Sequence, residues 1–146
     1  MNTYLRWVAV ALALLIIGSA AILSGCSFIT GGTPPAGTIQ NVTPTQAYEL
    51  TLQNQGNTRF VILDVRTPEE YAAGHIEGAV NLDFQSVKFK EEVNKLDKYR
   101  TYLVYCRTGV RSAAASKMMG ETGIKNIYNM TGGITDWQAR GYAVVK

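Results

Sequence analysis

Thr101-Tyr102-Leu103-Val104-Tyr105-Cys106-Arg107-Thr108-Gly109-Val110-Arg111-Ser112 runs from five largely apolar residues into a polar loop holding one cysteine, two arginines and a glycine. The first five residues are branched or aromatic and too few for a helix, so they predict a strand buried on both faces. Ser112-Ala113-Ala114-Ala115 then opens a helix predicted over residues 112–120, with Gly123 as its stop. A buried strand that passes at once into a helix is the repeating unit of a parallel sheet. In open sheets of that kind the binding crevice lies beyond the carboxyl ends of the strands. Cys106 stands at that place.

The same alternation extends in both directions. Upstream, Thr43-Pro44 offers an N-cap hydroxyl followed by proline, and predicts a first helix ending near Gly56. Phe60-Val61-Ile62-Leu63-Asp64-Val65 is a second strand buried on both faces, followed by a short helix over residues 68–73. A brief strand over 79–82 and a polar helix over about 86–96 complete this half. Downstream, residues 125–129 resume the sheet, 134–140 form a last helix, and 142–145 close the chain. The expectation is a small α/β domain with a mostly parallel sheet of about five strands flanked by helices.

The loop between strand and helix is an anion cradle. Its backbone amides converge on one point, Gly109 tolerates unusual dihedrals, and the following helix start adds partial positive charge. A free cysteine titrates near ~8.5, and such surroundings lower that value, so Cys106 is expected to be largely ionised at neutral pH. Without the loop, Cys106 would read as a small buried hydrophobe. Asp64 is expected to pair with a nearby basic group and fix the turn after its strand. Trp137 and Ile134 read as core.

Composition narrows the chemistry further. The chain has 146 residues, 47% hydrophobic and 17% charged, which suits one globular domain and one apolar segment. Fourteen basic against eleven acidic residues is too small an excess to imply nucleic acid. One histidine, His75, and two cysteines, Cys26 and Cys106, cannot assemble a zinc site from nitrogen and sulfur alone. No metal and no cofactor are expected.

Cys106-Arg107-Thr108-Gly109-Val110-Arg111-Ser112 resembles the active-site loop of single-domain rhodaneses, Cys-x-x-Gly-x-Arg-Ser. Asp64-Val65-Arg66-Thr67-Pro68-Glu69-Glu70-Tyr71 with Gly74-His75-Ile76-Glu77-Gly78-Ala79-Val80-Asn81-Leu82 is similar to that family's N-terminal signature. Gly132-Gly133, Trp137 and Gly141-Tyr142 resemble its C-terminal one. The resemblance implies a rhodanese-like domain over residues 43–146. It also implies transfer of sulfane sulfur from thiosulfate or a similar small anion to Cys106, and then to cyanide or a thiol. Arg107 and Arg111 would attract the donor and stabilise departing sulfite, Arg111 with a planar fork that engages two oxygens. The amides of Arg107, Thr108, Gly109, Val110 and Arg111 would hold the persulfide sulfur. His75 is used structurally in the family.

Two other functions use similar residues. Phosphatases of this fold need a Cys-x5-Arg loop to surround a phosphate, whereas the spacing here is Cys-x4-Arg, a smaller ring suited to one sulfur. The second alternative is an exported persulfide-carrier or redox-binding module that serves a protein sulfur acceptor without efficient thiosulfate turnover.

The remaining residues concern address. Arg6 precedes an almost wholly apolar stretch, Val8 to Leu23, that reads as an export signal over residues 1–25. Leu23-Ser24-Gly25-Cys26 resembles the lipobox of bacterial lipoproteins, which makes Cys26 the expected lipidated N-terminus. An uncleaved membrane helix is the other reading, and both put the domain across the membrane from Arg6. Residues 26–42, with Gly31-Gly32-Thr33-Pro34-Pro35, read as a flexible tether. The expected location is a lipid-anchored protein in the periplasm or on the outer cell surface.

Overall fold

The computed structural model describes residues 38–146, so the leader, Cys26 and most of the tether lie outside the described residues. Five strands form one sheet: β1 Thr38–Val42, β2 Phe60–Asp64, β3 Val80–Asn81, β4 Thr101–Tyr105 and β5 Asn126–Met130. All pairings are parallel and the spatial order is β1-β5-β4-β2-β3. Between the strands run α1 Pro44–Gln53, α2 Pro68–Ala73, α3 Phe89–Lys95, α4 Val110–Glu121 and α5 Gly133–Ala139. The α/β class and the parallel sheet are therefore as the sequence reads.

The central strand explains the two-sided core. In β4 the side chains alternate, Leu103 and Tyr105 facing one layer, Tyr102 and Val104 the other, as the period of two requires. The first layer holds Ala47 and Leu50 of α1 with Ile134 and Trp137 of α5. Phe89 and Val93 of α3 and Ala115 and Met119 of α4 make the second, which also takes in Cys106. Leu103 is wholly buried, and truncation of such a residue to alanine costs roughly 2–5 kcal/mol. The sheet centre is thus the rigid platform from which the Cys106 loop projects.

Local signals set the helix starts. Thr43 and Thr67 each accept from the backbone three residues on, and Gln46 and Glu70 reach back to close a capping box, with proline at the first helical position in both. Each such cap is worth about 1 kcal/mol.

Four expectations are corrected. Thr38–Val42, assigned to the tether, is an edge strand in register with β5 from Thr38 opposite Asn126 to Val42 opposite Met130. Its polar, mostly exposed residues carry no apolar run, so only pairing reveals it. Phe60, Val61 and Ile62 of β2 are half-buried rather than buried on both faces, because the two-residue β3 covers only Leu63 and Asp64. Helix α4 begins at Val110 and not at residue 112: Gly109 is its N-cap in the left-handed region, φ 98°, which makes Val110 and Arg111 helical. The helix expected from residue 86 starts only at Phe89, after a turn closed by Phe89 N donating to Ser86 O at 3.0 Å. Among the described residues no helix is long and apolar enough to cross a membrane.

Candidate active site

Cys106 follows the last residue of β4 and is 1% exposed. The chain folds back over it, and the Gly109 amide donates to Cys106 Sγ at 3.1 Å. Burial alone pushes the thiol up. Hydrogen bonds from the Ser112 amide and hydroxyl and from the amides of Gly109 and Thr108 outweigh it, so the thiol lies below its ordinary value. The Ser112 hydroxyl also donates to the Gly109 carbonyl at 3.1 Å, and its single proton serves one acceptor at a time.

The outside of the loop is held by α5. Ile134 N donates to Cys106 O at 2.9 Å and Thr135 N to Arg107 O at 3.1 Å, so the carbonyls point outward and the amides are left facing the sulfur. Gly133, at φ 59°, permits this contact: a Cβ there would stand 2.5 Å from the carbonyl carbon and oxygen of Arg107 and from Cys106 O. Sequence reasoning treated Gly132-Gly133 only as a family signature, whereas Gly133 is a wall of the site.

The five loop residues meet as a group but differ in what they offer. Thr108 and Gly109 present amides to the sulfur. Val110 is 76% exposed at the rim. Arg107 is exposed, and no carboxylate among the described residues pairs with it. Arg111 departs from expectation. Its Nη1 donates to Glu70 Oε2 at 2.7 Å and its Nη2 to Glu70 Oε1 at 2.8 Å, so the fork meant for donor oxygens already grips a carboxylate. That Arg111 hydrogen bond is the main reason the Glu70 carboxyl is held down at about 2. The arginine is reciprocally raised by Glu70, with a smaller contribution from the nearby Cys106.

Glu70 and Ser112 were therefore missed as parts of the site. Ser112 was visible as the residue after the loop. The sequence cue to Glu70 was its capping-box spacing from Thr67, which brings its carboxylate to the head of α2.

The remaining sequence assignments fall outside the sulfur's surroundings. Asp64 pairs with Arg66 at 2.6 Å, with side-chain exposures of 0% and 7%, and Arg66 Nη2 also donates to Gly74 O at 2.7 Å. This fixes the turn after β2 as expected. His75 Nδ1 lies 3.0 Å from Tyr71 O, its ring stacks on Tyr71 at 3.8 Å, and its backbone bridges Val145. Trp137 is core, its Nε1 donating to Ala143 O at 3.0 Å. A separate cleft of about 750 Å³ over Tyr48, Phe60, Ile62 and Trp137 contains no loop residue, and among the described residues Glu77 is its one charged side chain. Among the described residues no group of three or more His, Cys, Asp or Glu could hold a metal.

Residues 45–140 match the sequence profile of the rhodanese-like domain. The chain belongs to the rhodanese-like domain family. A thiosulfate sulfurtransferase of Coxiella burnetii is 36% identical, over 55% of this chain and 73% of that protein. An uncharacterized protein of Bacillus subtilis is 37% identical, over 56% of this chain and 64% of its own length. Among solved structures, a rhodanese-related protein from Thermoplasma volcanium superposes with a TM-score of 0.62 at 31% identity, over 73% of this chain and 97% of that one. The rhodanese-like fold accounts for the sheet, the helices and the position of the cysteine loop.

Proposed function

We propose that this rhodanese-like domain is a sulfurtransferase that carries sulfane sulfur as a persulfide on Cys106. The observation that carries the reading is a single buried sulfur ringed by the amides of Thr108, Gly109 and Ser112, with its thiol lowered in spite of burial. With thiosulfate, the Cys106 thiolate attacks the outer sulfur and the S–S bond of the donor breaks. Sulfite departs with the electron pair, and Cys106–S–S⁻ remains. No general acid is needed, because sulfite leaves as a stable anion. In the second half, cyanide or a thiolate attacks the terminal persulfide sulfur and returns Cys106 as the thiolate. The loop amides hold the terminal sulfur in both halves. The Cys-x4-Arg ring favours one sulfur atom over the three oxygens of a phosphoryl group.

Incubation of the full-length protein with thiosulfate or a small persulfide is expected to add about 32 Da, one sulfur atom, and cyanide to remove it. Cys106→Ser abolishes the gain. Parent protein that gains no sulfur from either donor sinks the proposal. A carrier module serving a protein partner remains the second reading, supported by the exposed Val110 beside the loop; sulfur uptake without steady turnover distinguishes it.

We also infer export and membrane anchoring through acyl chains on Cys26, supported by Leu23-Ser24-Gly25-Cys26. Intact-mass measurement of membrane-extracted protein tests this, and an unmodified N-terminus at Met1 overturns it.

A further inference from the structure

We infer that Glu70 is a specificity-determining residue of the sulfur-transfer site, holding Arg111 so that Cys106 accepts sulfur from uncharged persulfides in preference to dianionic thiosulfate. The inference rests on the reading of Cys106 as the sulfur carrier and adds the class of donor.

The geometry comes first. Both terminal nitrogens of Arg111 are taken by both oxygens of Glu70, at 2.7 and 2.8 Å. Glu70 Oε2 also accepts from the Thr67 amide at 3.2 Å, so the carboxylate is anchored from its own helix as well. The side chains are 20% and 28% exposed, which shields the pair from full solvation and separates it from a loose surface contact. The pair ties α2 to α4 across 41 residues of sequence, and Arg111 stands five residues after the cysteine.

The charge follows from the geometry. Arg111 and Glu70 sum to zero, and the loop cation that pairs with no carboxylate among the described residues is Arg107, which is exposed. For thiosulfate, a thiolate of charge −1 meets a donor of charge −2, and the products are Cys106–S–S⁻ and SO₃²⁻. Three negative charges converge in the transition state. For a protonated persulfide, R–S–SH, the thiolate attacks the outer sulfur and the S–S bond of the donor breaks, its electron pair leaving with R–S⁻. The products are then Cys106–S–SH and R–S⁻, with one negative charge throughout. A pocket whose inner arginine is neutralised penalises the first reaction far more than the second. The amides around the sulfur serve both reactions equally, since they address the sulfur and not the donor's oxygens.

The test measures kcat/KM of the full-length protein for thiosulfate and for 2-hydroxyethyl persulfide, whose carbon chain carries no charge, with cyanide as acceptor. The parent is expected to favour the persulfide. Glu70→Gln frees the charge of Arg111 and is expected to raise the thiosulfate-to-persulfide ratio about tenfold, chiefly through a lower KM for thiosulfate and with a steeper salt dependence. Glu70→Asp keeps the charge and is expected to keep the parental ratio even where both rates fall. Arg111→Gln, which leaves Glu70 unpaired, moves the ratio the other way and decides the matter should Glu70→Gln fail to fold. A ratio that is unchanged in the folded Glu70→Gln protein, that shifts equally in Glu70→Asp, or that does not fall in Arg111→Gln overturns the inference. Failure of the underlying reading is distinct, since it appears as a parent that takes sulfur from neither donor.

Discussion

Two turns leave the sheet side by side, Asp64-Val65-Arg66 after β2 and the Cys106 loop after β4, with Asp64 and Tyr105 paired in register. Each sets an arginine against a carboxylate, yet they are built for different ends. The first pair is sealed. Arg66 donates through Nε and Nη2 to Asp64 and through Nη2 to the Gly74 carbonyl, its backbone amide also donates to Asp64 at 2.9 Å, and Asn81 donates to the carbonyls of both residues at 3.0 and 2.8 Å. In the second, the Arg111 and Glu70 side chains are 20% and 28% exposed, against 7% and 0% for Arg66 and Asp64 in the first. Burial makes the first turn a brace, while partial exposure leaves the second adjustable.

The largest expected effect breaks the brace. Arg66→Ala leaves Asp64 as an uncompensated buried charge, which costs about 3–5 kcal/mol and shows as a large fall in the urea midpoint. The same truncation at Arg111 is expected to cost no more than about 1 kcal/mol. Equal losses at the two arginines would erase the distinction between the turns.

Gly133→Ala attacks the second turn from behind. The added Cβ meets the Cys106 and Arg107 carbonyls at 2.5 Å, and φ 59° is strained for any side chain, so the loop must shift. A displacement of about 1 Å is expected to slow sulfur uptake on the order of 100-fold. Its stability loss is expected to be smaller than that of Arg66→Ala. Parental uptake rates in a folded Gly133→Ala protein would show that the loop is not held in place by α5.

Ser112→Ala is milder. The residue is fully buried and alanine fits its space, but one amide-ring partner of the sulfur, the hydroxyl, is gone. The Cys106 thiol is expected to rise, which slows iodoacetamide alkylation at pH 7 roughly 3- to 10-fold and moves the pH midpoint of alkylation upward. An unmoved midpoint would assign the lowering to the backbone amides alone.

The contrast between the turns also explains what could be read from the sequence. The strand β4 was legible because buried parallel strands are continuous apolar runs, β2 showed the same run although Phe60, Val61 and Ile62 are only half-buried, and the cap at Thr43 was legible because it acts over three residues. The Cys106 loop was legible because its chemistry is contiguous from Cys106 to Ser112. What could not be read is what depends on distant partners. β1 is polar and exists by pairing with β5, 88 residues away at Asn41 and Asn129. Glu70 reaches Arg111 across 41 residues, and nothing local to either predicts the other. Gly133 confronts Arg107 only after α5 has packed, so its role is a property of tertiary approach.

The smallest effect concerns how firmly the adjustable pair contributes to folding. Glu70 is held at about 2 in the folded protein, principally by Arg111, against an ordinary value of 4.5. A carboxyl depressed by folding adds stability that is complete above its unfolded value and is lost as pH falls through the folded one. The window is therefore pH 4.5 to 2, and Arg111 stays protonated throughout it. Because the pair is partly exposed, solvent screening limits the amount to about 1 kcal/mol or less. Urea midpoints of parent and Glu70→Gln at pH 7, 6, 3 and 2 are expected to differ by a constant amount in the first two conditions. The difference then shrinks through pH 3 to pH 2, where Glu70 of the folded protein is about half protonated and begins to resemble glutamine. High salt is expected to reduce the difference at pH 7 as well, which would not happen if Glu70 acted through packing alone. A gap between the two proteins that stays constant down to pH 2 would mean that Glu70 contributes through its cap on α2 and its shape, and the second turn would then be as much a brace as the first.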